Sequence, residues 1–387
     1  MENFRFSMPT EIIFGKGVER QVGQEMKRIA ARVLLHYGSG SIKRNGLYDT
    51  VIKSLKSAGV DFIELGGVKP NPRLSLVQEG IRLCREQKLD AILAVGGGSV
   101  IDSAKAIGVG VPYKGNVWDF YTAKATPTET IPVGVVLTIP AAGSEASKSS
   151  VITNEDGDLK YALNIDLIKP RFAFMNPELT YSLPPVQTAA GVADIMSHII
   201  ERYFTNVDHV DLTDRLCEAT LQTVIHNAPI ALAEPSNYNA RAEIMWASTI
   251  AHNDLLSTGR VGDWATHMIE HELSALYDVT HGAGLAVVFP AWMKLTMKHD
   301  LARFVQFAVR VWGVEEDFTE PERTAQEGIA RLAAFWKSIG LPGSLAELGI
   351  PNDRLEEMAS RAVARGAVGQ FVSIKKKEAF EILKAAS

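Results

Sequence analysis

The sequence predicts an α/β protein of two domains: a parallel β-sheet wound with helices over residues 1–183, and an all-helical domain over residues 184–387. Three observations support this prediction. Short apolar runs alternate with amphipathic stretches up to Pro184, strand-like runs disappear after it, and 387 residues with 46% hydrophobic content are enough for two cores.

The N-terminal domain alternates between strand and helix periodicity. Apolar runs of strand length precede amphipathic runs of helical length, which is typical of β-α units in a parallel sheet. The predicted strands are Arg32–Tyr37, Asp61–Leu65, Asp90–Val95, Ile131–Ile139 and Arg171–Met175. The predicted helices are Gly46–Ala58, Leu74–Gln87 and Val100–Gly108, and residues 151–168 are expected to form a hairpin or a loop.

Helical periodicity continues through the C-terminal domain, with breaks at Pro, Gly and Asn clusters such as Glu234–Asn237 and Leu341–Gly343. The predicted helices are Pro185–Phe204, Leu212–Asn227, Ala240–Leu256, Trp264–Leu276, Gly282–Lys298, Leu301–Trp312, Glu320–Ile339 and Lys375–Ala385. Because no strand-like run interrupts them, we expect these helices to share a core of their own.

The overall composition excludes several classes of protein. A net charge of -5, with no basic cluster larger than Lys375–Lys377, argues against a nucleic-acid partner. No run of about eighteen apolar residues occurs, and the first residues lack the pattern of a signal peptide, so no membrane association is expected. Cys84 and Cys217 lie far apart in apolar helical patterns, which predicts core thiols in a reducing, cytoplasmic compartment.

A glycine-rich turn follows the third predicted strand. The strand ends in Gly96-Gly97-Gly98-Ser99, and a helix that contains Asp102 begins there. Glycine lets the backbone approach a ligand closely, and the unpaired N–H groups at a helix start favour an anion, so a pyrophosphate is the expected guest. The turn has neither the P-loop ending nor the G-x-G-x-x-G pattern, and a tight strand-to-helix turn without a ligand is the alternative.

The end of the first predicted strand indicates which dinucleotide would bind. Gly38, Ser39 and Ser41 are followed by Lys43 and Arg44, with no carboxylate before residue 49. An acidic residue near a strand end would bind the ribose of NAD(H), whereas small or basic groups accommodate the 2′-phosphate of NADP(H). The segment therefore favours NADP(H), and an ordinary Gly/Ser turn is the alternative.

One carboxylate and three imidazoles lie in stretches whose spacing suits a single divalent ion. Asp194 and His198 are four apart with no helix breaker between them, so both would face one side of a helix. His267 opens a second helical stretch, and His281 precedes a Gly282-x-Gly284 turn that could swing it back. Three nitrogens and one oxygen suit Zn²⁺ or Fe²⁺ with a position open for substrate. A lone Asp/His pair of this spacing is also common as a surface hydrogen bond.

Several long segments connect these patterns to a known family. They are YGSGSIKRNG, AVGGGSVID, TIPAAGSE, FAFMNPELTYSLPPVQTAAGVADIMSHIIE and WATHMIEHELSALYDVTHGAGLA. On these segments the chain resembles the iron-containing (group III, metal-dependent) alcohol dehydrogenases over nearly its whole length, and most closely their branch of NADPH-dependent butanol dehydrogenases and broad-range aldehyde reductases. The resemblance implies a dehydroquinate synthase-like fold, with a Rossmann-like domain, an all-helical domain and the active site in the cleft between them, and it implies a homodimer.

The resemblance also implies roles for individual residues. The family's metal ligands match the four residues that the spacing identifies, Asp194, His198, His267 and His281. The residues that match cofactor-binding positions, or are candidates for them, are Gly38, Ser39, Ser41, Asn71, Gly97, Gly98, Ser99, Asp102, Thr138, Ser144 and Lys160.

Together the parts predict a metal-dependent alcohol dehydrogenase or aldehyde reductase that acts on small to medium aldehydes or primary alcohols with NADP(H). The ion would polarise the carbonyl, and the nicotinamide would deliver hydride. His267 takes part as a ligand, and His271, one helical turn later, is the candidate proton relay. A role that only orients a ligand is the alternative for His271. His209, His226 and His252 lack such a context and are interpreted as structural.

Two other functions remain possible on the same residues. A polyol oxidoreductase similar to glycerol dehydrogenase shares the two-domain build, although the one Asp, the three His and the YGSGS segment fit it less well. A metal-dependent hydrolase is an alternative from another class, but it leaves the glycine turn unexplained. The nitrogen and oxygen ligands do not separate Fe²⁺ from Zn²⁺.

Overall fold

The computed structural model describes all 387 residues, which form two compact units: residues 7–183, and residues 1–6 together with 184–387. The first six residues were predicted to belong to the N-terminal domain, but they belong to the helical unit because residues 1 and 2 form hydrogen bonds with it. The Met1 ammonium donates to the carbonyl of Asp208 at 2.9 Å, and the Glu2 N–H donates to the carbonyl of Gly259 at 2.9 Å.

The N-terminal unit is built on a parallel six-stranded sheet with a separate antiparallel hairpin. The strands are β1 Glu11–Phe14, β2 Arg32–Gly38, β3 Asp61–Val68, β4 Ala91–Gly96, β5 Val133–Leu137, β6 Ser149–Asn154, β7 Leu159–Asn164 and β8 Phe172–Met175. The sheet order is β1-β8-β5-β4-β2-β3, and β6 pairs with β7. All five strands predicted from apolar runs are present, and the hairpin expected within residues 151–168 begins two residues earlier, at Ser149, and ends at Asn164. The prediction omitted β1, which has four residues at the sheet edge and is half-exposed.

Helices connect these strands, namely α1 Val22–Ile29, α2 Ser41–Arg44, α3 Leu47–Ser57, α4 Leu74–Gln87, α5 Gly98–Gly110 and α6 Trp118–Tyr121. The central strand β4 is buried along its whole length, and α5 is almost entirely buried as well. The chain leaves β2 toward β3 on one side and returns to β4 on the other. The carboxyl ends of β2 and β4 therefore flank the point where the strand order reverses, which is where ligands bind in such sheets.

The C-terminal unit is helical, as predicted. Its helices are α7 Pro185–Tyr203, α8 Asp211–Ala233, α9 Tyr238–His252, α10 Ala265–Tyr277, α11 His281–Thr296, α12 Leu301–Trp312, α13 Pro321–Ser338, α14 Leu355–Ala362 and α15 Lys376–Ala385. The helix predicted to end at Asn227 continues to Ala233 through Pro229, because a proline removes one hydrogen bond without always ending a well-packed helix. None of the helices is long and apolar enough to cross a bilayer.

Burial of α7, α10 and α11 fixes the parts of the chain that carry the predicted metal ligands. Sixteen of the nineteen residues of α7 are buried, and the core of this unit extends over α7 to α15. A side chain on such a helix has little freedom, because the interior is close-packed. The polar residues that these helices carry inside the core therefore have defined neighbours.

Candidate functional site

Three of the four predicted metal ligands converge inside the C-terminal unit. Asp194 on α7, His267 on α10 and His281 at the start of α11 have ligand atoms within 4.8 Å of one another. Asp194 and His267 are buried, and the side chain of His281 is 23% exposed. The cluster therefore combines a carboxylate and two imidazoles, of which that of His281 is partly exposed, and these are suitable ligands for a divalent metal ion.

His198, the fourth predicted ligand, lies directly beside this cluster. Its Nδ1 lies 2.9 Å from the Asp194 carbonyl and 3.1 Å from Asp194 Oδ1. Its ring centroid is 4.7 Å from that of His267 and 4.2 Å from that of His252. His252, which we interpreted as structural, thus packs against a predicted ligand, and no sequence spacing indicated this contact.

The structure corrects the predicted turn after His281. Residues 282 and 284 lie inside α11, which begins at His281. A Cβ on Gly282 would lie 2.0 Å from the Ala190 carbonyl of α7, and one on Gly284 would lie 2.7 Å from Oε1 of Glu270. These glycines are needed because α11 approaches α7 and α10 closely, and this approach brings His281 to Asp194.

The charge states of the cluster suit an ion. Burial alone would raise the pKa of Asp194, but the neighbouring imidazoles of His198, His281 and His267 outweigh burial and hold this pKa well below its usual value. Burial, followed by the other imidazoles, holds the pKa of His267 well below its usual value. The ligand set is thus a carboxylate with a neutral imidazole, which is the protonation state that metal binding requires.

One buried nitrogen in this cluster is open. Nε2 of His267 has no hydrogen-bond partner, although the residue is buried. A buried polar atom without a partner costs about 1–3 kcal/mol, so such atoms are rare in native proteins. A divalent ion held by this nitrogen and the Asp194 carboxylate would satisfy it, and the residues present therefore fit a metal.

Two buried carboxylates support the histidines, and the sequence analysis did not identify either. Glu201 on α7 accepts a hydrogen bond from Nδ1 of His267 at 2.8 Å, and Glu270 on α10 accepts one from Nδ1 of His281. Each glutamate lies three residues after a predicted histidine ligand on the same helix, as His198-x-x-Glu201 and His267-x-x-Glu270. This spacing could have marked both glutamates as candidates, but not their partners, because each binds the next histidine ligand along the chain.

His271 lies at the edge of the same cluster. It is 6% exposed on α10, and its ring centroid lies 5.7 Å from that of His281. Its ligand atoms and those of Glu270 and His281 lie within 4.8 Å of one another. An imidazole at this distance is close enough to exchange a proton with a molecule bound beside His281.

A second group of predicted residues gathers at one edge of the sheet in the N-terminal unit. Gly38 ends β2, Gly97 follows β4, and Thr138 follows β5. These three strands are adjacent in the sheet, in the order β5-β4-β2. The Thr138 N–H donates to the carbonyl of Gly96 at 3.0 Å, which extends the β4–β5 pairing to this edge. The three loops therefore lie side by side at the carboxyl ends of parallel strands.

The start of α5 supplies free backbone N–H groups at this edge. Gly97 precedes the helix in an extended conformation, and Gly98 and Ser99 form its first turn. A Cβ on Gly97 would lie 3.0 Å from the Ile139 side chain. The helix start is thus narrow and rich in donors, which suits a phosphate group.

The loop after β2 carries a cation that aromatic and acidic groups hold in place. Lys43 Nζ lies 5.0 Å and 4.6 Å from the ring centroids of Tyr37 and Tyr48, and 3.7 Å from Glu64. Both tyrosine hydroxyls donate to Glu64, at 2.8 Å and 2.6 Å. The carboxylate of Glu64 is thus already engaged, and Lys43 follows the predicted Ser39–Ser41 segment by two residues in the chain.

Asp102 and Ser144 bind each other. Ser144 Oγ donates to Asp102 Oδ1 at 2.5 Å, and the Val151 N–H donates to Oδ2 at 3.0 Å. Burial raises the pKa of Asp102, and the Lys105 ammonium partly offsets this. The fully buried Nζ of Lys105 donates to the carbonyls of Ser144, Ser147 and Ser149 at 2.6, 3.0 and 2.8 Å. These side chains of α5 fix the loop that follows β5.

The two remaining cofactor candidates are buried in the N-terminal unit. Asn71 has a positive φ of 52°, and its carbonyl accepts a hydrogen bond from Arg73 Nη1 at 2.8 Å. Lys160 is 6% exposed on β7, opposite Thr153 of β6, and its charge lowers the pKa of Asp102. Both are buried polar residues of the same unit as the glycine turn.

Comparison with known families and proteins gives a consistent result. The pattern "Iron-containing alcohol dehydrogenase" matches residues 9–177, and the pattern "Fe-containing alcohol dehydrogenase family, C-terminal" matches residues 188–387. Together they cover the units that hold the glycine turn and the histidine cluster.

Individual relatives match over the whole chain. The "Probable NADH-dependent butanol dehydrogenase 1" of Bacillus subtilis is 47% identical, with 100% of both chains covered. The "NADPH-dependent aldehyde reductase YqhD" of Escherichia coli is 38% identical, covering 95% of this chain and 94% of the relative. The crystal structure of "NADH-dependent butanol dehydrogenase A" from Thermotoga maritima superposes with a TM-score of 0.97 at 39% identity, covering 100% and 99% of the two chains.

Proposed function

The chain belongs to the iron-containing alcohol dehydrogenase family and is a metal-dependent alcohol dehydrogenase or aldehyde reductase; from this premise we propose that it transfers hydride between NADP(H) and small to medium aldehydes or primary alcohols. The observation that carries this proposal is the cluster of Asp194, His267 and His281, in which the buried Nε2 of His267 has no partner.

The residues that support this proposal form two sets, one for the nucleotide and one for the metal ion. The donor-rich start of α5 and the loop after β2 would hold the nucleotide, whose nicotinamide supplies or accepts hydride. Asp194, His267 and His281, with His198 as the fourth ligand, would hold Fe²⁺ or Zn²⁺. When bound, such an ion supplies Lewis acidity that polarises a carbonyl group.

We propose that His271 donates the proton that the reduction requires. Reduction of an aldehyde adds hydride to carbon and leaves an oxygen that must receive a proton. His271 lies on α10 one turn after His267, and its ring lies next to His281. An imidazole can both donate and accept a proton, so His271 can protonate this oxygen and regain the proton from water.

The preference for NADP(H) rests on the loop after β2. Gly38, Ser39 and Ser41 leave room there, and Lys43 brings a positive charge that Tyr37 and Glu64 stabilise by raising the pKa of its ammonium. A 2′-phosphate would gain from this charge. Of the relatives described above, two carry NADH in their names and one carries NADPH, so the cofactor must be measured directly.

The test is the loss of NADPH absorbance with butanal as substrate, with NADH in parallel. We expect faster turnover with NADPH, loss of activity after chelation, and recovery when Fe²⁺ or Zn²⁺ is added back. The ion that restores activity is the competent metal. Faster turnover with NADH would contradict the cofactor assignment alone, whereas no turnover with either nucleotide by metal-loaded protein would contradict the proposed function for simple aldehydes.

A substitution at Lys43 tests the cofactor assignment separately. Lys43→Ala should lower kcat/KM for NADPH by about tenfold, the value of one charge-assisted contact, and leave that for NADH nearly unchanged. Lys53→Ala, at an exposed position of the neighbouring helix α3, is the matched control. Equal losses with both nucleotides would remove Lys43 from 2′-phosphate recognition.

Two further properties follow from family membership as proposals. We propose that the chain forms a homodimer and acts in the cytoplasm. Light scattering of the purified protein tests the first, since a particle of one chain mass would contradict it. Fractionation of cells that express the chain tests the second.

A further inference from the structure

We propose that Glu201 and Glu270 position the metal centre: each accepts the Nδ1 proton of one histidine ligand and so presents the opposite nitrogen, Nε2, to the ion. This inference rests on the proposed metal site and adds two residues to it. Neither glutamate is assigned as a ligand, and each acts through the histidine that it contacts.

Glu201 makes most of its contacts with the beginning of α10. Its Oε1 accepts hydrogen bonds from Nδ1 of His267 at 2.8 Å, from the N–H of His267 at 3.2 Å and from the hydroxyl of Thr266. Its Oε2 accepts the N–H of Trp264 at 2.6 Å. The side chain has no exposed surface. Both oxygens of Glu201 are therefore engaged by protein donors, and the contact of Glu201 with the cluster is made through His267.

These contacts give Glu201 a second task at the start of α10. The residue before this helix, Trp264, has φ 71° and provides no side-chain cap. Positive φ is rare and costly for a bulky residue. The carboxylate of Glu201, contributed by α7, accepts the N–H of Trp264 and the N–H of His267 in the first turn, in place of a side-chain cap. The backbone that carries His267 and the ring of His267 are thus held by one side chain.

Glu270 performs the same task for His281. Its Oε2 accepts a hydrogen bond from Nδ1 of His281, and its Oε1 accepts the hydroxyl of Ser274 at 2.5 Å. Its side chain has no exposed surface. A Cβ at position 284 would lie 2.7 Å from Oε1 of Glu270, so Gly284 provides the space that this carboxylate occupies.

The two pairs have the same chemical consequence. A neutral imidazole carries its proton on Nδ1 or on Nε2, and a carboxylate at Nδ1 keeps the proton there. Nε2 then has a free lone pair. This agrees with the partnerless Nε2 of His267 and with the Nε2 of His281, which lies 3.9 Å from Asp194 Oδ1. Such carboxylates also raise the basicity of the ligand nitrogen.

Glu270→Gln is the most selective test. The amide oxygen can still accept from His281, and Ser274 can accept from the amide nitrogen while it donates to the Val279 carbonyl, which lies 3.3 Å away. The change therefore removes the charge while keeping the hydrogen bonds. Glu272→Gln is the matched control, because Glu272 is a buried carboxylate of the same helix that pairs with Arg361 at 2.5 Å.

The measurement is metal affinity, without turnover. Chelator-treated protein is titrated with Zn²⁺, and in parallel with Co²⁺, against a chromophoric chelator, and the visible absorption of bound Co²⁺ reports the ligand geometry. We expect Glu270→Gln to bind one ion with a Kd raised about 10- to 100-fold. Glu272→Gln should have the wild-type Kd, and all metal-free variants should keep the wild-type circular dichroism.

Glu201→Gln extends the test to the second pair. An amide nitrogen at this position would face either the His267 Nδ1–H or the Trp264 N–H, and both are donors. We therefore expect a loss of affinity at least as large as for Glu270→Gln, with a lower melting temperature of the metal-free protein. If the melting temperature fell while metal affinity stayed at the wild-type value, Glu201 would only cap α10 and its positioning role would be rejected.

The outcomes separate this inference from the proposed function. If wild-type protein binds no ion, the metal site itself fails. If wild-type protein binds one ion and Glu270→Gln binds it equally well, only the positioning role fails. If wild-type protein binds two ions and Glu270→Gln binds one, Glu270 is a ligand and the inference is overturned. One ion with weaker binding in both variants supports it.

Discussion

Each unit of the molecule buries a histidine, and the two differ in what their ring nitrogens contact. In the N-terminal unit, Nδ1 of His36 bonds to the Leu65 carbonyl at 2.8 Å and Nε2 to the hydroxyl of Ser103 at 2.9 Å. In the C-terminal unit, Nδ1 of His267 bonds to Glu201, but Nε2 has no partner. His36, with both nitrogens satisfied, serves the fold, whereas the open Nε2 of His267, in a cluster with Asp194 and His281, indicates a ligand.

The charged groups of the two units differ in the same way. Asp102 and Lys105 direct their charges inward, to the loop of Ser144. In the C-terminal unit Glu201 and Glu270 also bind protein groups, but each of them binds Nδ1 of a histidine and leaves Nε2 of that histidine uncontacted by the carboxylate. In the proposed nucleotide site the buried charges thus hold the backbone of a loop, whereas in the proposed metal site they hold the side chains of histidines. Substitutions in each unit should therefore affect one ligand and spare the other.

The largest effect is expected for His267→Ala. It removes a ligand and leaves the Glu201 carboxylate without its imidazole donor, so metal content should fall below one ion per chain and kcat/KM by about 1000-fold. The measurement is metal analysis together with aldehyde reduction. His226→Ala, at an exposed position of α8, should have no effect. Weakened nucleotide binding in His267→Ala would break the separation of the two units.

Lys105→Met tests the other side of the comparison. Loss of the ammonium removes a donor from three carbonyls, of which those of Ser144 and Ser147 are buried, and each unsatisfied buried group costs about 1–3 kcal/mol. The loop should loosen, and the Kd for the nucleotide, measured by fluorescence titration, should rise about 10- to 100-fold. Metal content should stay at the wild-type value. Lys114→Met, at an exposed position, controls for the loss of charge.

Acidification tests the structural histidine. Burial lowers the pKa of His36 to about 4, and the Leu65 carbonyl only partly offsets this. In the unfolded chain this residue binds a proton below its ordinary pKa of about 6.5, and in the folded chain it does not until about 4. Its contribution to stability is therefore present above pH 6.5 and is lost as the pH falls toward 4, by about 2 kcal/mol between pH 7.5 and 5.

The variant His36→Gln should remove this part of the acid sensitivity. It should be less stable than wild type at pH 7.5, because one amide cannot occupy both nitrogen positions, but it should lose less stability on acidification. Urea midpoints at the two pH values measure both effects. An identical pH dependence of stability in variant and wild type would mean that His36 is not responsible for the loss of stability on acidification.

The smallest effect is expected for Asp102→Asn. One amide oxygen can still accept the Val151 N–H, and the amide nitrogen can donate to Ser144 Oγ, so the hydrogen bonds survive and only the buried charge is lost. We expect the free energy of nucleotide binding to weaken by about 1 kcal/mol, which is about a fivefold rise in the nucleotide Kd. A much larger loss would mean that Asp102 contacts the nucleotide itself, as the family resemblance implies.

The sequence predicted the elements whose periodicity extends over many residues. The wound sheet, the helical half and the convergence of Asp194, His267 and His281 followed from apolar spacing and from the choice of donor atoms. The turn assigned to Gly282 and Gly284 was wrong, because these glycines serve the contact of α11 with Ala190 and Glu270, which is a property of three helices. Spacing along one chain cannot predict such a contact.

The roles of the supporting charges were also beyond the sequence. Asp102 and Ser144 carry the right chemistry for a cofactor, but their bond to each other joins residues 42 positions apart. Glu201 reaches a histidine 66 positions away. Sequence alone identifies which side chains can bind a ligand, and only the fold determines which of them are already bound to one another.

We propose that Asp194, His198, His267 and His281 hold one ion, the last two through the nitrogens that Glu201 and Glu270 leave open. Anomalous diffraction from crystals soaked in Fe²⁺, recorded at the iron edge, tests it most directly. We expect a single peak about 2.0–2.2 Å from a carboxylate oxygen of Asp194 and from Nε2 of the three histidines. A peak that contacts Nδ1 of His267 or His281, or a peak at another place, would contradict the account.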